Sequence, residues 1–146
     1  MEYIAKWVEG TPQQQDAYDL RLQVFVDEQG FAREVELDEI DRTAWHLVLY
    51  APDGTPAAVG RTFPAPGQPG TYTVGRICVA KSHRRSGLGA RLLDEIHARL
   101  RAAGAKTAQL HAQVQVQPFY QRCGYTAVGS PFIEDGWPHI TMQRPL

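Results

Sequence analysis

The chain has 146 residues, close to the roughly 150 of one ordinary domain. Fifteen Lys and Arg against sixteen Asp and Glu leave a formal net charge of −1, and 43% of the residues are hydrophobic. That balance excludes a disordered chain and a bulk nucleic-acid binder, which would carry a strong positive excess. Two cysteines, Cys78 and Cys123, make no disulfide framework and sit in no metal-ligand spacing, so no metal is expected. The start, Met1-Glu2-Tyr3-Ile4, has neither the basic n-region nor the apolar core of a signal peptide. The longest apolar run, Leu47 to Ala51, is far short of a membrane span. A soluble, cytoplasmic protein of one domain, residues 1–146, is expected.

Tyr3 to Val8 reads as a first strand. Thr11-Pro12-Gln13-Gln14 reads as a helix start, with Thr11 as N-cap and Gln14 closing a capping box. Ala17, Leu20 and Val24 then share one face. From Asp27 to Asp41 the chain is acidic, with seven carboxylates and one arginine, Arg33. Trp45–Tyr50, Ala57–Phe63 and Thr71–Val79 read as three strands, the first two joined by Pro52-Asp53-Gly54. Leu88, Leu92, Ile96 and Leu100 mark the clearest amphipathic helix, with Arg91–Glu95 and Glu95–Arg99 as supporting pairs and Gly104 as its stop. A strand over Thr107–Val114, a short helix over Pro118–Cys123 and strands near Thr126–Phe132 and Ile140–Gln143 complete the order, the last two turning at Asp135-Gly136. The sum is a mixed-sheet α/β (α+β) domain.

The most informative segment runs from Cys78 to Ala90, from a strand through a basic loop into the strongest helix. Free N–H groups and the helix dipole make such a terminus an anion site, and glycines let a phosphate approach the backbone. Val74 to Arg91 holds five Lys or Arg and no acid, which suits a polyphosphate ligand. A Walker loop would need Lys-Ser/Thr where Ala90-Arg91 stands, and a dinucleotide loop a third glycine where Leu92 stands. What remains is Arg84-x-x-Gly87-x-Gly89.

That hexapeptide resembles the pyrophosphate loop of the GNAT N-acetyltransferases. Downstream, Phe119-Tyr120-Gln121-Arg122-Cys123-Gly124-Tyr125 resembles the F-Y-x-x-x-G-F segment of the same superfamily, with Tyr125 where the pattern has Phe. Arg21 to Gly30, Asp38 to Asp41, His46 and Glu134 to Met142 are similar to the small bacterial ElaA/YjcF-like branch. The resemblance implies a mostly antiparallel mixed sheet with splayed fourth and fifth strands and flanking helices. It implies acetyl-CoA as cofactor, with pyrophosphate on the amides around Arg84, Arg85, Ser86, Gly87, Leu88, Gly89 and Ala90. The pantetheine arm would pair with Ile77, Cys78 and Val79 and pass Gln113 and Tyr120. An amine would attack the thioester directly, Tyr120 assisting departure of the thiolate. An alkyl ammonium, with a pKa of about 10.4, must first lose its proton.

For that base the candidates are Glu28, Asp38, Asp41, His46, His111 and His139, with Glu28 and His139 preferred because both lie in branch-specific segments. Arg21, Glu28, Asp38, Asp41, His46 and His139 are the expected acceptor-site residues, with the acidic segment steering a cationic small-molecule or peptide amine. Arg21 serves either to orient an acid it faces or as a structural ion pair. A homodimer through exposed final strands fits the resemblance. A non-catalytic acyl-CoA-binding regulatory module is the alternative to an enzyme.

Overall fold

A computed structural model describes residues 2–146. Strands β1 (Ile4–Trp7), β2 (Trp45–Tyr50), β3 (Pro56–Pro64), β4 (Thr71–Val79), β5 (Thr107–Gln113), β6 (Thr126–Glu134) and β7 (Trp137–Pro145) form one sheet in the order β1-β2-β3-β4-β5-β7-β6. Every neighbouring pair is antiparallel except β4 and β5. Helices α1 (Thr11–Arg21), α2 (Arg33–Glu36), α3 (Leu88–Ala102) and α4 (Gln117–Arg122) flank it. The α/β architecture and the seven strands follow the sequence reading. The last two strands run longer than their apolar cores, because their ends lie exposed and carry little hydrophobic signal.

α1 packs over β2, β3 and β4 on one face. There Ala17, Leu20 and Val24 bury against Val48, Val59 and Cys78. On the other face α3 sets Leu88, Leu92, Leu93, Ile96 and Leu100 against Leu47, Leu49, Val74, Ala108 and Leu110. Each such side chain is worth about 1.5–3 kcal/mol on burial. Strands covered on both faces read as continuous apolar runs, as Leu47–Leu49 and Ala57–Val59 do. On the α1 side β5, β7 and β6 extend past the helix, and His111 and His139 face an open groove.

Three local expectations are corrected. Gly10, not Thr11, is the N-cap of α1, and no side chain caps it. Gln13 instead accepts the Glu9 backbone N–H at 2.9 Å. Past Arg21 the helix continues as a π-helical turn, Leu22–Glu28, which the apolar spacing did not reveal. Arg99 does not pair with Glu95. Its guanidinium lies 4.5 Å from the Trp7 ring centre and 4.2 Å from that of Trp45, where flat aromatic faces outbid a solvated carboxylate.

The end of α3 is closed as expected. Gly104 takes φ +84, its N–H donates to Arg101 and that of Ala105 to Leu100. Within α3, His97 is buried and its Nε2 lies 2.6 Å from the Tyr125 hydroxyl. Tyr125, where the family pattern has Phe, therefore finds a buried partner. Burial pushes the His97 pKa from 6.5 down to about 4. A depressed imidazole means the unfolded chain binds the proton more readily, so stability is full above about pH 6.5 and falls as pH drops toward 4. The expected loss is about 3 kcal/mol. Urea midpoints across that interval should fall more steeply with acid in wild type than in His97→Gln, the difference being the share carried by His97.

Candidate active site

The groove begins where β4 and β5 part. They pair only through Thr71–Thr73 and Thr107–Gln109, so from Val74 onward the β5-facing edge of β4 has no strand partner. Parting coincides with a bulge: between Val59 and Arg61 of β3 the register to β4 shifts, and Arg76 takes φ +51. A non-glycine residue in that region carries about 1–3 kcal/mol of strain. The resulting cleft has a volume of about 1340 Å³ and runs past Cys78, Tyr120, Glu28 and His139.

At one end lies the loop before α3. Arg85 at φ +68 and Gly87 at φ +74 turn the backbone so that no amide from Arg85 to Ala90 has a hydrogen-bond partner among the described residues. Six consecutive free N–H groups at a helix start form a ready anion cradle. Leu88 anchors the turn in the core. Gly89 admits Phe119, since a Cβ there would stand 3.0 Å from its Cζ. Arg84 turns away from the cradle: its Nε donates to the Val79 carbonyl at 3.1 Å and its Nη2 meets Glu28 at 2.8 Å.

Tyr120 sits in the wedge between the parted strands, against Phe119 and Tyr125 with ring centres 5.1 and 5.9 Å away. Burial, with the Cys78 and Cys123 thiols nearby, pushes its pKa well above the ordinary 10. Among the described residues, no side-chain partner holds its hydroxyl. Cys78 is likewise raised by burial and stays a thiol. Gln113 donates to Gln29 at 3.1 Å across the groove and accepts from Gln115 at 2.7 Å.

The acidic segment is not a free negative surface. Arg21, 1% exposed, donates to Glu36 at 3.0 Å and to Asp41 at 2.7 Å. Arg61 bridges Asp38 and Asp41, each at 2.7 Å, leaving only its Nε unpartnered. Arg76, delivered by the bulge, meets Glu36 at 3.0 Å and Asp38 at 3.4 Å. Three arginines thus neutralise three carboxylates in a network that is buried except at Asp38 and Arg76, which are partly exposed. The Arg21 and Arg61 partners hold Asp41 down at about 2 against its burial, whereas burial outweighs the arginines at Glu36 and raises it. His46 is buried beside this network, its Nε2 3.0 Å from the Asp41 carbonyl, and burial lowers its pKa. Arg21, Asp41 and His46 do not line the groove; Glu28, Asp38 and His139 do.

At the far end the structure gathers a cluster that sequence reasoning found only in part. His139 Nδ1 is 2.8 Å from the Trp137 carbonyl. A carbonyl only accepts, so Nδ1 carries the proton and the neutral ring keeps a lone pair on Nε2. That Nε2 lies 3.8 Å from Glu134, whose other oxygen accepts from His111 Nδ1 at 2.9 Å. The hydrogen bond raises His111 and lowers Glu134. Glu134 was the residue missed. The antiparallel pairing of β5 with β7 and β7 with β6, invisible in local sequence, brings it to the two histidines.

A family model described as acetyltransferase (GNAT) domain matches residues 11–146. The uncharacterized N-acetyltransferase YjcF of Bacillus subtilis is 36% identical over 134 residues, 90% of this chain and 92% of that protein. The crystal structure of Escherichia coli ElaA superposes with a TM-score of 0.87 at 26% identity, covering 98% of this chain and 99% of that one. An acyl-CoA N-acyltransferase from Pseudomonas aeruginosa gives 0.85 at 28% identity, with 98% and 99% covered.

The buried network yields a sharp stability test. Lysine is a point charge and cannot reproduce the fork that Arg21 makes to two carboxylates. Arg21→Lys keeps the charge but leaves buried acceptors without a donor, and should therefore lower the unfolding free energy by about 1–3 kcal/mol. A urea midpoint within error of wild type would show that the network does not hold α1 to β3.

Proposed function

The chain belongs to the GNAT acetyltransferase family, and from that premise we propose that it moves an acetyl group from acetyl-CoA directly to a primary amine. The observation that carries this reading is the row of unpartnered amides from Arg85 to Ala90, which follows directly on Arg84 in the wall of the cleft that Tyr120 also lines. The amides suit the pyrophosphate. The open edge of β4 at Ile77, Cys78 and Val79 suits the pantetheine arm, which would add to it as a strand does. A donor of this kind and the free thiols of Cys78 and Cys123 fit a reducing cytoplasm.

The residues divide the chemistry by their environments. An acceptor ammonium holds its proton with a pKa of about 10.4, so near neutrality about one molecule in a thousand can attack, a penalty of about 4 kcal/mol. His139 offers Nε2 as the base, its tautomer set by the Trp137 carbonyl, with the Glu134 carboxylate 3.8 Å from that nitrogen. Glu28, the other preferred candidate, is spent on Arg84 and serves to brace the loop. Tyr120, kept neutral by burial, is a weaker acid than a thiol of pKa about 8.5. It therefore steadies the departing thiolate with a hydrogen bond and keeps its own proton. Cys78, held as a thiol, forms no acyl-enzyme, which leaves direct transfer.

Calorimetry with acetyl-CoA should give a dissociation constant of about micromolar, lost in Gly89→Glu, whose side chain would meet Phe119 and place a carboxylate in the anion cradle. Tyr120→Phe should bind acetyl-CoA as wild type does and release CoA at least about tenfold more slowly with an amine. Unchanged turnover would remove Tyr120 from its role. Binding with no turnover on any amine would make the chain a non-catalytic acyl-CoA-binding module.

A further inference from the structure

The far end of the groove has a character of its own. Phe31, from the segment after the π-helical turn, and Trp137, from the start of β7, approach across it to 5.9 Å between ring centres. Phe25 stands behind Phe31 at 6.4 Å. Phe132 lies 5.1 Å from His111 and 6.3 Å from His139. Trp137 is 44% exposed, so part of its indole faces free space beside Glu134 and Asp135.

The charges of the groove point the same way. Arg61, Arg76 and Arg84 line it, and each has a carboxylate within 3.0 Å: Asp38, Glu36 and Glu28 respectively. His111 has Glu134 at 2.9 Å. No cation along the groove is thus left to receive an anion, among the described residues. Asp135 adds negative charge at the aromatic end, beside the Glu134–His111 pair. An acceptor bearing a carboxylate or phosphate would have to displace a carboxylate already held in the wall, or leave its own charge without a partner.

Resting on the acetyltransferase reading, we propose that the acceptor is a primary amine carried on an aromatic or similarly apolar group, with no anionic group of its own. Its ring packs on the Phe31–Trp137 pair and its nitrogen lies toward His139 and Glu134. Aromatic faces supply the affinity for the apolar body, and Glu134 with Asp135 favours the ammonium before the proton is lost.

The test compares three probes on the full chain saturated with CoA: phenethylamine, phenylalanine and ethanolamine. The first two share a skeleton and differ by the carboxylate; the third keeps the amine and lacks the ring. Calorimetry should show phenethylamine binding about tenfold or more tightly than either of the others. Trp137→Ala and Phe31→Ala should each weaken phenethylamine about fivefold or more while leaving CoA affinity unchanged, which also reports that the variants fold. Equal or tighter binding of phenylalanine or ethanolamine, or no binding by any probe, overturns the proposal. Acetyl-CoA turnover read in parallel separates the two readings. Phenethylamine binding without CoA release supports the acceptor class and defeats transfer. Release preferring phenylalanine supports transfer and defeats the acceptor class.

Discussion

The site depends on a strand edge left open in the middle of a sheet. β4 pairs with β3 along its length but with β5 only through Thr73. Unpaired backbone groups inside a fold are costly, so such an opening closes unless something prevents it. Here the bulge at Arg76 prevents it, by turning β4 through a left-handed residue that no straight ladder accommodates. The strain is held in place by what the Arg76 side chain then reaches, the Glu36 and Asp38 carboxylates. Those acids are fixed in turn by Arg21 from α1 and Arg61 from β3, through Asp41. The ion-pair network is therefore best understood as the brace of the cleft rather than as its chemistry.

This brace links the two halves of the groove. α1 carries Arg21 and passes directly into the π-helical turn that ends at Glu28. Glu28 holds Arg84 ahead of the amide cradle, Gln29 meets Gln113 on β5, and Phe31 meets Trp137 on β7. One short segment thus touches the amide loop, the wedge and the aromatic end of the groove. On the other sheet face, Leu88 and the Gly89–Phe119 contact tie the cradle to the helix that carries Tyr120.

Much of the fold was legible because its signals are local. The four-residue apolar period of α3, the glycine stop at Gly104 and the covered strands β2 and β3 each declare themselves within a few positions. The glycines of the loop before α3 are local signals of the same kind, Gly87 taking a left-handed turn at φ +74 and Gly89 making room for Phe119. The π-helical turn was not, because its hydrophobic positions read as an ordinary helix continued. Nor was Glu134 as a partner of His111 and His139, since that grouping exists only once β5, β7 and β6 are in register.

The acidic segment shows where local reading misleads most. Seven carboxylates within fifteen residues look like a field that would draw cations. Three of them are cancelled by arginines that lie upstream at 21 and downstream at 61 and 76, and Glu28 is met by Arg84. Charge summed along a sequence window says little once strands bring distant guanidiniums within 3 Å. What survives folding at the aromatic end of the groove is a smaller and better-placed asymmetry: one carboxylate shared by two imidazoles, set among aromatic rings. A buried network balanced in charge fixes shape, and the few groups left outside it decide what the groove can hold.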